Sequence, residues 1–137
     1  MNNYAHTEIS LDHFIVPSRD RIASARLLAE LLGVRWAETG AVGPFSPVYV
    51  SDSLTLDFDE STEPFPVGHY AFRVDDQHFD AIVQRLTVAK IPYRSTPHGA
   101  VDQNARQAPS FRSGKDSASS EAVVNVNQES FAIGARC

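Results

Sequence analysis

Leu11-Asp12-His13-Phe14-Ile15-Val16 and Gly68-His69-Tyr70-Ala71-Phe72 are two versions of one strand in a single 137-residue chain. Each carries a histidine at its start and strand-forming bulk after it. The segments downstream of the two strands are also alike. After the first, Ile22, Ala25, Leu28, Ala29 and Leu32 form an apolar stripe at helical spacing. The spacing predicts a helix from about Asp20 to Leu32, with Ser18 or Asp20 as its cap and Gly33 as its left-handed stop. After the second, Asp75 or Asp76 caps a helix whose stripe is Phe79, Ile82, Val83 and Leu86. With one residue of slippage, Ile22, Ala25 and Ala29 fall on Phe79, Ile82 and Leu86.

Shorter β-type runs complete each half. Val34–Glu38 reads as a strand, and Pro47–Val50 with Leu54–Phe58 reads as a hairpin around Ser51-Asp52-Ser53. In the second half, Ile91–Arg94 is a short strand, and Val123–Val126 with Phe131–Ala135 is a second hairpin. Val48, Val50, Leu54 and Leu56 then correspond to Val124, Val126, Phe131 and Ile133. Ser10–Val16 reads as a strand buried on both faces, broken by Pro17 and Ser18. The expected fold is α+β, one domain of two βαβββ modules, about 9–60 and about 67–136. Neither half covers both faces of its own sheet, so the two are expected to share a core.

Composition narrows the function. No apolar run reaches the roughly 20 residues of a membrane span, and the first residues lack the basic and apolar parts of a secretory signal. The one cysteine, Cys137, allows no internal disulfide. A net charge of −5 disfavours nucleic acid, whose phosphates need a basic face. A cytoplasmic protein acting on a small molecule, with no nucleic-acid or membrane partner, is the expectation. The charge is uneven: residues 1–100 hold 8 Lys/Arg against 13 Asp/Glu, and residues 101–137 hold 4 of each. All eight leucines occur by Leu86. Ser95–Ser120 reads as a long loop, and residues 99–137 are atypical of the rest.

Chemistry concentrates at few positions. His13 and His69 start equivalent strands, and neutral imidazole binds Fe, Mn, Ni or Zn. Strand histidines are also common as hydrogen-bonded core or surface residues. In Leu54-Thr55-Leu56-Asp57-Phe58, alternation places Asp57 with Thr55 opposite Leu56 and Phe58, either as an inward carboxylate or as a solvated one. His6, His78 and His98 carry less: a loose terminus, a helix first turn and a turn. No nucleophile elbow and no phosphate-cradling glycine loop occurs.

These strands, the Ala23-Ser24-Ala25-Arg26 helix ending Leu31-Leu32-Gly33, and the Leu54–Phe58 strand together resemble the vicinal oxygen chelate superfamily. That superfamily includes glyoxalase I, bleomycin resistance proteins and extradiol dioxygenases. The resemblance covers about residues 9–98. It implies paired βαβββ modules forming a cupped sheet with helices outside, a homodimer, and a divalent metal or small ligand in the cup. It makes His13 and His69 metal ligands and Asp57 a third ligand or proton shuttle. By their aromatic rings, Trp36, Phe45, Tyr49 and Tyr70 are the expected lining of an apolar substrate-binding groove. The family's last ligand is a glutamate on the final strand, and Gly134 stands at that position here. Two readings of this departure stay open: a divergent chain that binds without catalysis, or a C-terminal segment altered after about Gly99, for example by a shifted reading frame. The functions implied are a metal-dependent lyase, isomerase or dioxygenase, or alternatively a non-catalytic drug-sequestering protein.

Overall fold

A computed structural model describes residues 9–66 and 68–94 and the strands 122–127 and 131–134. Ser95–Ser120, with His98, and also His6, Glu129 and Cys137 lie outside the described residues. The chain divides into two compact units, Met1–Pro64 and Phe65–Cys137.

The first unit runs β1 (His13–Ser18), α1 (Arg21–Leu32), β2 (Arg35–Trp36), β3 (Ser46–Ser51) and β4 (Leu54–Glu60). Its sheet has the order β1-β4-β3-β2, with β1 and β4 parallel and the other pairs antiparallel. Helix α1 begins where Asp20 accepts a hydrogen bond from the Ala23 amide at 3.0 Å. It stops at Gly33, whose φ of 72° is left-handed backbone that a Cβ would strain. Ala25, Leu28, Ala29 and Leu32 turn inward onto Val16, Val48, Leu56 and Phe58, and all are buried. That layer also buries two hydroxyls, Ser18, which donates to the Asp59 carbonyl at 3.1 Å, and Ser46, which is fully buried yet satisfied. The Ser46 hydroxyl donates to the Glu38 carbonyl and accepts from the Arg21 guanidinium, both at 2.6 Å.

Two features of β1 differ from the expectation. The strand does not stop before Pro17 but runs through it to Ser18. Among the described strands β1 is at an edge, beside β4, and a proline is tolerated at an edge, where its missing N–H need not serve a ladder. Nor is β1 buried on both faces: Val16 is buried while Ile15 remains 51% exposed. One face of the first sheet is covered by α1; on the other, Gly40 lies against the buried Pro47, while His13, Ile15 and Tyr49 remain exposed.

The second unit runs β5 (His69–Val74), α2 (Asp76–Val88), β6 (Tyr93–Arg94), β7 (Ala122–Asn127) and β8 (Phe131–Gly134). Asp75 caps α2, accepting from both the His78 amide at 2.8 Å and the His78 ring at 2.9 Å. These bonds hold the Asp75 carboxyl below the usual aspartate range, the backbone bond first. Their stabilisation is present above that range and is lost as pH falls through the depressed value. Among the described residues of this unit, Ile82, Leu86 and Tyr93 are the buried apolar ones.

The sheet order is β5-β7-β8-β6, and this corrects the repeat as drawn from sequence. In the first unit the last strand, β4, lies beside β1. In the second unit the penultimate strand, β7, lies beside β5 and is antiparallel to it. Val124 and Val126 therefore occupy the central position expected for Phe131 and Ile133.

Candidate functional site

Strand register assigns side chains to the face of the first sheet opposite α1. His13 stands beside Thr55, Ile15 beside Asp57 and Pro17 beside Asp59. Thr55 stands beside Tyr49, Asp57 beside Pro47, and Tyr49 beside Arg35. Because directly paired residues share a face, these residues form a sheet surface opposite α1. Asp57 is thus one row along from His13 on the neighbouring strand, with Thr55, as alternation around Leu56 and Phe58 requires.

His13 is held by its own neighbour. Its Nδ1 lies 2.7 Å from the Asp12 carboxylate, and since a carboxylate only accepts, Nδ1 carries the proton. The remaining nitrogen, Nε2, is then the one with a lone pair for a cation. This is the outer-shell arrangement that orients metal-bound histidines. Asp12 raises the His13 pKa above its ordinary 6.5, chiefly through the hydrogen bond, and the charge of Asp57 adds to the effect. Protonation and metal compete for His13, so cation affinity should fall as pH drops through this raised value. Asp12→Asn should move the His13 midpoint down toward 6.5 in an NMR titration of its ring proton. A midpoint that stays put would remove Asp12 from this role.

The other residues expected at the site divide by strand face. Tyr49 is on the face opposite α1, 37% exposed, with the Arg35 guanidinium 5.7 Å from its ring centroid. Phe45 precedes β3, half-buried, with its ring against Gly43. Trp36 pairs with Val48, which is fully buried on the α1 side, so Trp36 is on the opposite face from Tyr49. In the second unit His69 and Tyr70 are consecutive in β5 and so point to opposite faces. Tyr70 folds back over Gly68, where an added Cβ would meet its hydroxyl, and its burial pushes its phenol pKa up.

Gly134 does not occupy the place expected of a last ligand. It pairs with Val123, which pairs with Arg73, while His69 pairs with Asn127. Four residues of β5 separate the Gly134 row from His69, roughly 13 Å along the strand. The rows nearest His69 hold Asn127 and, beside Ala71, Asn125. A carboxylate restored by Gly134→Glu should therefore leave divalent-metal affinity unchanged in a calorimetric titration. A gain of tenfold or more would show that the hairpin docks in the other order.

Among the described residues no group of three or more His, Cys, Asp or Glu lies close enough to hold a metal ion. The first unit by itself supplies an oriented imidazole and a carboxylate, a donor set suited to Fe, Mn, Ni or Zn. Asp12, Thr55 and Arg35 were not singled out from the sequence. The adjacency Asp12-His13 was a legible signal. Arg35 and Thr55 needed the strand register.

The chain is similar to two solved structures over nearly its whole length. Oxidase ChaP-H1 is 29% identical, with 94% of this chain and 97% of that chain covered and a TM-score of 0.71. Oxidase ChaP-H2 is 26% identical, with 95% of each chain covered and a TM-score of 0.68. No family model and no curated protein matches the sequence. The likeness supports a fold of the kind used by enzymes acting on small molecules.

Proposed function

We propose that the protein is a metal-dependent oxidase of the vicinal oxygen chelate kind, acting on a small oxygenated substrate. The observation that carries this reading is His13, oriented by Asp12, beside Asp57 on the face of the first sheet opposite α1. The likeness to two oxidases supports it. His13 Nε2 and the Asp57 carboxylate are the donors for a divalent ion, and one imidazole with one carboxylate leaves coordination positions open for substrate. When bound, such an ion supplies Lewis acidity toward two neighbouring substrate oxygens and access to O₂.

The chain's own residues do the rest. Asp12 fixes the tautomer and ring angle of His13. Asp57 offsets cationic charge, and the Thr55 hydroxyl beside His13 offers a donor to a substrate oxygen. The exposed Tyr49 ring gives this face an apolar surface that a substrate ring covers, displacing water.

The test is protein purified without a histidine tag, assayed for metal and for oxygen uptake with 4-methylcatechol before and after chelation. Expected are a stoichiometric divalent ion and uptake that chelation stops and Fe²⁺ restores. Protein that takes up no metal on reconstitution yet binds bleomycin would overturn this reading in favour of sequestration.

A further inference from the structure

Across the face of the first sheet opposite α1, register draws a line of four side chains from four adjacent strands: Arg35, Tyr49, Thr55 and His13. Neighbouring strands lie about 4.8 Å apart, so Arg35 and His13 start from backbones roughly 14 Å apart. Asp57 and Asp59 hold the His13 side of this face. Arg35 is the one Lys or Arg among the described strand positions of the face. The face is therefore polarised, acidic at the β1 and β4 side and cationic at β2, with an aromatic ring between.

Arg35 is also supported in place. Its guanidinium stands 5.7 Å from the centroid of the Tyr49 ring, within cation–π range. A guanidinium carries five N–H donors, so one placed over a ring retains donors for a second partner. Tyr49 remains 37% exposed, so its ring lies open next to Arg35.

We propose that Arg35, supported on Tyr49, is a specificity-determining residue that selects planar ligands carrying an anionic oxygen at the end remote from His13. This rests on the reading of the face as a substrate site, but not on metal being bound. Without Arg35, the net charge of −5 and the neighbouring aspartates repel an anion. With it, a carboxylate or phenolate gains a charge-assisted hydrogen bond while its ring covers Tyr49. The occupant is a small amphipathic anion.

Calorimetry with 2-naphthoate and its neutral analogue 2-naphthamide, both in the presence of chelator, tests the proposal. Wild type should bind the carboxylate about tenfold more tightly, the scale of one charge-assisted bond. Arg35→Gln should bring the two affinities to parity or favour the amide, and Arg35→Lys should retain a reduced preference. Tyr49→Leu should weaken both probes together. Arg35 is exposed, and unchanged thermal unfolding of Arg35→Gln would show that the variant folds. Equal affinities in wild type, or a preference that survives Arg35→Gln, would overturn the proposal. Because metal is excluded throughout, loss of the metal reading leaves this result standing, and the reverse also holds.

Discussion

His13→Ala is expected to lower divalent-metal affinity by more than about 100-fold, since even outer-shell partners of a ligating histidine are worth 10–100-fold. The imidazole is the oriented donor of the first unit: Asp12 holds Nδ1 at 2.7 Å and leaves Nε2 for the ion. Asp57 remains in the variant, but a lone carboxylate binds such ions weakly and keeps no geometry. Asp12→Asn tests the same residue from behind. At high pH it should weaken binding about 10-fold or more through lost orientation. At lower pH the deficit should narrow, because a less basic His13 loses less of its capacity to protonation. Metal titration of both variants against pH reads this out. Affinity in His13→Ala within threefold of wild type would place the ion elsewhere.

Leu56→Ala is the second large effect, expected to destabilise the first unit by about 3 kcal/mol, within the 2–5 kcal/mol seen for buried leucines. Leu56 is 1% exposed on β4, the strand that pairs with both β1 and β3. Its side chain lies in the layer under α1, with Val48 on β3 and Phe14 on β1 beside it in register. Truncation leaves a cavity at the strand that also positions Asp57 and Thr55 on the other face. The loss should appear as a fall in the urea midpoint of the first unit's transition at unchanged slope. A change under about 1 kcal/mol would mean that α1 collapses onto the vacancy.

The parts legible from sequence were those decided by local chemistry. Asp20 and Gly33 bracket α1 because a cap needs a short side-chain acceptor and a left-handed residue, and both are written into the chain. Asp57 was placed on the right face because Leu56 and Phe58 fix a period of two. The rest depended on partners that residue type does not name. Pro17 reads as a breaker until β1 is seen to be an edge strand. Trp36 was assigned to the groove by its ring alone, but β2 is two residues long and only its pairing with β3 decides its face. The C-terminal hairpin has the same Val-x-Val alternation that suits either docking order. Its sequence could not show that β7, not β8, lies beside β5, nor that Gly134 is distant from His69. The Asp12-His13 pair was in plain sight, but its value rests on the 2.7 Å hydrogen bond that the strand start permits.

The site on the first unit is tested most directly by adding Mn²⁺ in small increments to isotope-labelled protein and following paramagnetic broadening by NMR. The His13 ring and the Asp57 and Thr55 amides should broaden first, below stoichiometric metal, and should not do so in His13→Ala. Broadening that begins at the other carboxylate-bound histidine, the Asp75–His78 pair, with His13 left sharp, would contradict the assignment.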